Sequence, residues 1–341
     1  MSYRLVFRHV LTRIEPERAH GLAAALLGRL PAAPLRRLLG ARDPALRTEA
    51  LGLTFPSPLG VAAGVDKDAT WFEGLGALGF GFVEIGTVTA RAQPGNERPR
   101  IERFPEQRAL LNWMGFPNAG AEAVAPRLAR ERSTIVGVNV GKSKDAPLEE
   151  AVADYRASVR LLAAHADYLA LNVSSPNTPG LRSLQAIEAL DALVAGVQEE
   201  LAALGLRVPL LVKIAPDLAD EDVDAVADLA LRRGLDGLIA TNTTTARGAL
   251  RSRLRAPDAP AGVSGPPLAP RSLEVLRRLR ARVGDRLVLV SAGGISGAED
   301  AWERLQAGAT LLQAYTGFVY GGPLWAWKVN RELARRRRAA L

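Results

Sequence analysis

The sequence predicts an α/β fold: a (β/α)8 TIM barrel of eight parallel strands, with a helical extension at its N-terminus. Three observations carry this expectation. Eight apolar, strand-like runs recur along the chain, each ending in small or polar residues. They are apolar nearly throughout, as in strands covered on both faces by helices, and helix-period segments lie between them. A chain of 341 residues holds one large core of this kind plus an appendage.

Residues 1–45 are expected to form the N-terminal segment and 46–341 the barrel. Residues 1–40 carry seven Arg against two Glu, between apolar positions spaced as on helices. Such a basic amphipathic segment suits a membrane surface. No apolar run approaches the ~18 residues of a spanning helix, and a signal peptide's long apolar stretch and cleavage site are missing. The expectation is therefore a peripheral protein on the cytoplasmic side of the cell membrane. The net charge of +8 comes from Arg spread along the whole chain, so nucleic acid is not an expected partner. Cysteine is absent, which removes disulfides, thiolate metal sites, cysteine nucleophiles and cysteine-ligated clusters. No metal site is expected.

The strand-like runs are "LGVAAG" (59–64), "GFVEIGT" (81–87), "TIVGVNVG" (134–141), "YLALNVS" (168–174), "LLVKIAP" (210–216), "GLIATNT" (237–243), "LVLVSAGG" (287–294) and "LLQAYTG" (311–317). Helical periodicity covers 147–165, 183–204, 218–233, 269–282 and 298–307. In such a barrel the chemistry sits on the loops after the strands. There stand Lys67, Thr87, Asn139, Asn172 with Ser175, Lys213, Thr241 with Asn242, Gly293 with Gly294, and Tyr315 with Thr316, in strand order. Any one of these is explained as a strand terminator; eight sets at one barrel end point to a site. Residues 88–117 are too long for a connection and too apolar at "ALLNWMGF" for a free linker, which predicts an ordered flap over the mouth. A second insert, 244–266, reads as mobile.

"SAGGISGAEDAWERL" (291–305) is a strand, a glycine turn and a helix start, an arrangement whose amides and field attract phosphate. "AYTGF" after strand eight and "GVSGPPL" (262–268) can add donors. A substrate phosphate or a cofactor phosphate fits equally. Lys213 favours the second, because a lysine on a central strand needs an electron-rich partner. A flavin that becomes anionic on reduction serves, with its FMN phosphate at Gly294 and Thr316 and its ring edge at Lys213, Asn139, Asn172 and Thr241.

These pieces, in this order, resemble the dihydroorotate dehydrogenase family, in particular its class 2, quinone-dependent, membrane-associated form. The resemblance spans the chain: "IEPERAHGL" (14–22), "GLTFPSPLGVAAGVDKD" (52–68), "GFVEIGTVTARAQPGNERPR" (81–100), "NWMGF" (112–116), "GVNVGKSKD" (137–145), "LNVSSPNTPGLR" (171–182), "VKIAPDL" (212–218), "ATNTT" (240–244), "GVSGPPL" and "YTGF" (315–318). It implies one FMN per chain and oxidation of (S)-dihydroorotate to orotate in de novo pyrimidine (UMP) biosynthesis, with a membrane quinone as acceptor. Class 1 members carry a cysteine base where Ser175 stands, and some need an iron–sulfur partner subunit; a chain without cysteine is not one of them, and no such subunit is expected. Enzymes of similar fold that reduce uridine in transfer RNA use a cysteine acid, also absent.

The resemblance makes Ser175 the base that takes a proton from carbon 5 of the substrate while carbon 6 gives a hydride to FMN. Ser174 is read as a cap of the turn before Pro176. Substrate contacts are implied for Lys67, Asn112, Trp113, Met114, Gly115, Phe116, Asn172, Asn177, Asn242 and Thr243. Cofactor contacts are implied for Ala63, Gly64, Val65, Asp66, Lys67, Thr87, Asn139, Asn172, Lys213, Thr241, Gly265, Gly294, Tyr315 and Thr316. His20, Arg103 and Tyr315 are implied for quinone access. The family more often has Arg where this chain has Trp113.

Overall fold

A computed structural model describes residues 3–178, 180–248, 250 and 261–340. The central part of the insert expected to be mobile, 249 and 251–260, lies outside them, as does Pro179.

Three helices open the chain: α1 (Tyr3–His9), α2 (Pro16–Arg29) and α3 (Ala32–Leu39). A hairpin of β1 (Thr48–Ala50) and β2 (Leu53–Phe55) follows. The repeating unit begins with β3 (Leu59–Val61), α4 (Phe72–Ala77) and β4 (Phe82–Val88), then is interrupted by antiparallel β5 (Ile101–Phe104) and β6 (Ala109–Asn112). It resumes with α5 (Ala121–Leu128), β7 (Ile135–Val140), α6 (Ala151–Leu162), β8 (Tyr168–Asn172), α7 (Ile187–Ala203), β9 (Leu210–Ile214), α8 (Asp220–Arg232) and β10 (Gly237–Ala240). The short β11 (Gly262–Ser264) precedes α9 (Ala269–Val283), β12 (Val288–Ala292), α10 (Ala298–Gln306), β13 (Leu311–Ala314), α11 (Thr316–Gly321) and α12 (Trp325–Ala339).

Strands β3, β4, β7, β8, β9, β10, β12 and β13 form one closed parallel barrel, sealed by β13 against β3 with Leu312 opposite Leu59. All eight predicted runs contain a barrel strand, but most strands stop short of the run's end. The run 237–243 leaves the sheet at Ala240, and Thr241 to Thr243 become part of the mouth.

Side chains alternate between the two faces of each strand, and here the alternation sorts the residues into layers. Outward residues such as Val83, Ile85, Val138, Leu171, Val212 and Leu238 join the core shared with the helices. Inward residues Phe82, Tyr168, Leu211, Ile239, Val290 and Leu311 fill the N-terminal end of the barrel. Phe55 of the hairpin meets Phe82 edge to face at 5.2 Å and plugs that end. Burying such side chains stabilises the fold by roughly 1.5–3 kcal/mol each. One layer further up the barrel the inward positions turn polar: Glu84, Lys213 and Gln313, two residues beyond Phe82, Leu211 and Leu311, and Asn139 on β7, all buried. The register of β4 against β7 shifts between Ile85 and Val88. A bulge of this kind re-aims a side chain, and Thr87, inside β4 rather than after it, reaches the mouth.

The flap is ordered, as its composition predicted. β5 and β6 pair antiparallel, and β11 from the second insert adds a third strand, with Val263 opposite Leu111. The N-terminal helices are clamped to this flap. Arg100 is 3% exposed and donates to the Glu17 carboxylate of α2 at 3.0–3.2 Å and to the carbonyls of Pro94 and Asn96. Among the described residues, no helix is long and apolar enough to cross a membrane.

Candidate active site

At the C-terminal mouth, under the flap, lies a partly open cavity of about 160 Å³. It is lined by Ala63, Gly64, Lys67, Thr87, Asn112, Met114, Phe116, Asn172, Ser175, Asn177, Lys213, Thr241, Asn242, Thr243, Gly265, Gly294, Tyr315 and Thr316 among the predicted residues. The described lining contains two lysines and no acid, so the cavity is built for anionic or electron-rich ligands.

Its wall is a chain of side-chain amides. Asn172 Nδ2 donates to Thr87 Oγ1 at 2.9 Å and to Asn139 Oδ1 at 3.2 Å. Asn242 Nδ2 donates to Asn172 Oδ1 at 3.2 Å and to Ser174 Oγ at 3.0 Å. On the flap side, Asn177 Nδ2 donates to Asn112 Oδ1 at 3.0 Å, while Asn112 Nδ2 reaches the Gly262 carbonyl at 3.3 Å. Loop, flap and second insert are thereby joined around one space.

Ser175 is buried beyond the end of β8, and its Oγ accepts the Asn177 backbone N–H at 3.2 Å. The turn-capping bond expected of Ser174 is thus made by Ser175. Ser174 instead bonds Asn172 and Asn242, because its side chain faces the amide chain. Lys67 Nζ donates to the Gly64 carbonyl at 2.7 Å, and desolvation holds its pKa below the ordinary lysine value. Burial likewise pushes the Tyr315 phenol up to about 12, so it stays protonated at neutral pH.

The phosphate end differs from the sequence expectation in one respect. Asp300 accepts the Ser296 and Gly297 amides at 2.8 and 3.1 Å, so the donors at the start of α10 are already used. The cavity is lined instead by Gly293, Gly294 and Ile295 before that helix, by Ser264 and Gly265, and by Thr316 and Gly317. Gly294 has φ +80°, and a Cβ there would stand 2.4 Å from Ala269 Cα; Gly265 has φ +97° and the Arg108 carbonyl 2.7 Å away. Only glycine fits both places. Behind the turn, the buried Arg304 donates to the Gly293 carbonyl at 3.1 Å and to Ser291 and Ser272, and burial lowers its pKa to about 10. It remains a cation at neutral pH. This donor set, a glycine cradle backed by a guanidinium and a ring of amides with two lysines, fits FMN.

Seven predicted residues lie elsewhere. Asn139 sits one layer below the cavity and bonds its wall. Asp66 caps the turn before α4, accepting the Thr70 and Trp71 amides, and Val65 is buried in the core beside it. Gly115 gives its carbonyl to Gln93 Nε2. Trp113 packs with Phe104, Leu111, Leu250 and Val263 behind the flap, away from the cavity, which is how an apolar ring is accommodated at this position. His20 stands edge to face with Trp71 at 5.5 Å, and burial together with Lys67 lowers its pKa to about 3, so it is neutral. Arg103 donates to the Leu11 and Ile14 carbonyls of the N-terminal segment. Sequence reasoning passed over Glu84, Gln313 and Arg304. Glu84 was visible as the one acid inside the run "GFVEIGT".

Comparison with known proteins gives the same picture. The sequence profile of the Dihydroorotate dehydrogenase family matches residues 45–336. "Dihydroorotate dehydrogenase (quinone)" of Kineococcus radiotolerans is 56% identical over 352 residues, covering 98% of this chain and 96% of that protein. The protein of the same name from Thermobifida fusca is 54% identical over 347 residues, covering 98% and 92%. The crystal structure of DHODH in complex with ferulenol from Eimeria tenella superposes with a TM-score of 0.88 at 38% identity, covering 95% of this chain and 92% of that one. The chain therefore belongs to the dihydroorotate dehydrogenase family, among its quinone-dependent members.

Proposed function

We propose that this chain oxidises (S)-dihydroorotate to orotate and passes the electrons through FMN to a membrane quinone, as a peripheral enzyme of de novo pyrimidine synthesis. The observation that carries this reading is the acid-free cavity in which Ser175, Lys67 and the four asparagines 112, 172, 177 and 242 surround one space. Side-chain amides offer donor and acceptor together, which suits a planar ring bearing amides and a carboxylate. Lys67 supplies positive charge for that carboxylate.

Bound FMN, held by Gly294, Gly265, Thr316, Lys213 and Thr241, supplies the hydride acceptor for carbon 6. Ser175 takes the proton from carbon 5. A neutral hydroxyl is a weak base, and two features help it. The Asn177 amide donates to Oγ and favours release of the hydroxyl's own proton to solvent in the open cavity, so that the oxygen taking the carbon-5 proton ends neutral. Amide donors of the wall stabilise the charge left on the adjacent carbonyl oxygen. Loss of hydride acidifies the same carbon pair, so the base acts on an activated proton.

For quinone access we propose the segment 1–45. Six of the ten large apolar side chains exposed among the described residues lie in its helices and turns, including Leu22, Leu26, Leu30 and Leu38. With the Arg residues of the segment they form a face for anionic lipid, on the cytoplasmic side. To this path we assign His20 of the segment, which is neutral, and Tyr315 on the cavity wall.

The test is anaerobic addition of dihydroorotate to purified protein. A yellow protein whose flavin absorbance bleaches, and recovers with a quinone, is expected. A colourless protein, or a flavin that dihydroorotate leaves oxidised, would sink the proposal.

A further inference from the structure

Glu84 lies inside the barrel, fully buried, one layer below the cavity, and four donors from four other strands converge on it. Oε1 accepts from Asn139 Nδ2 at 2.9 Å and stands 3.6 Å from Lys213 Nζ. Oε2 accepts from Gln313 Nε2 at 2.6 Å and from the Tyr168 hydroxyl at 3.1 Å. An ionised carboxylate only accepts hydrogen bonds, so it dictates the direction of every bond it joins. Asn139 must turn Nδ2 toward Glu84, which leaves its Oδ1 to receive Thr87 Oγ1 at 2.6 Å and Asn172 Nδ2 at 3.2 Å. Asn172 then presents Oδ1 to Asn242 Nδ2, and Asn242 turns its own Oδ1 to the Thr243 amide at 2.8 Å. Gln313 obeys the same demand although its Oε1 is left buried without a partner. The donor and acceptor order of one cavity wall follows from the acid beneath it.

Lys213 is the second consequence. It lines the cavity floor, and Glu84 makes it half of an ion pair rather than a lone cation. Negative charge appearing on a ring above is then stabilised less than a lone lysine would stabilise it. We infer that Glu84 is a positioning residue, which orients the amide wall through Asn139 and sets the charge that Lys213 presents to the flavin. This rests on the flavin reading of the cavity.

Glu84→Gln keeps the shape and one acceptor while removing the charge. In the folded, flavin-loaded variant the FMN midpoint potential is expected to rise by about 30 mV or more, a tenfold shift toward reduced flavin for a two-electron couple. A folded, flavin-loaded variant at the wild-type potential overturns the inference. A buried lysine left unpaired is costly, so the companion is the double variant Glu84→Gln with Lys213→Met, compared by thermal unfolding. Recovery of stability over Glu84→Gln alone is expected; a double variant no more stable than the single one overturns the pairing. Should the wild-type protein take up no FMN, the flavin reading fails instead, and the stability comparison still decides the pairing.

Discussion

At the scale of single residues, the site is a set of weak groups made effective by their neighbours. Among the described residues, Ser175 has no histidine lining the cavity beside it; its oxygen holds the Asn177 amide, and Lys67 lines the same cavity. Replacing it with alanine removes the proton acceptor and leaves the cofactor residues in place. Ser175→Ala is therefore expected to keep FMN and to slow flavin reduction by dihydroorotate by about 10²–10⁴-fold, the contribution of a positioned base. Stopped-flow reduction at the wild-type rate would mean that Ser175 serves only as the cap seen in its bond to Asn177. Ser174 illustrates the same dependence on neighbours: its hydroxyl is spent on Asn172 and Asn242.

At the scale of elements, the flap and helix α2 hold one another through Arg100. Its guanidinium is almost completely buried, pairs with Glu17, and also fastens the Pro94 and Asn96 carbonyls of the flap's own chain. Breaking a buried pair from one side costs about 3–5 kcal/mol; because Glu17 keeps a second, exposed partner in Arg98, the lower end applies. Arg100→Met should lower the melting temperature and open residues 88–117 to limited proteolysis. An unchanged melt and cleavage pattern would show that the apolar packing of Trp113 and its neighbours alone holds the flap.

At the scale of the whole molecule, the barrel closes on itself, and the N-terminal helices contribute no strand to it but pack on α4 and on β5 of the flap. Deleting residues 1–40 leaves every barrel strand and every cavity-lining residue, but it takes Glu17 from Arg100, two carbonyls from Arg103, and Phe7 from its contact with Tyr320. The truncated protein is expected to fold with a looser flap, to be reduced by dihydroorotate, and to lose both binding to anionic liposomes and fast reoxidation by long-chain quinone. Small soluble acceptors should still reoxidise it. The two half-reactions are to be measured separately on soluble, flavin-loaded protein, since the uncovered apolar surface favours aggregation. Full-length rates of long-chain quinone reoxidation in liposomes would remove the segment, and His20 with it, from the quinone path.

What the sequence determined by itself was everything written in short-range pattern. Eight apolar runs with polar ends specify strands, their order and the residues at the rim, because period and burial are local properties of a dozen residues. The glycines and asparagines at those ends were legible for the same reason. The tertiary structure alone decided which groups face one another across the closed barrel. A single acid in "GFVEIGT" carries no period, and its partners Asn139, Tyr168, Lys213 and Gln313 lie on four other strands. Likewise, nothing near Arg100 in the chain announces Glu17, and nothing near Trp113 says that its ring turns away from the cavity. Such contacts exist only after β13 has closed on β3, since burial makes a charge seek a partner and closure determines which partner is within reach.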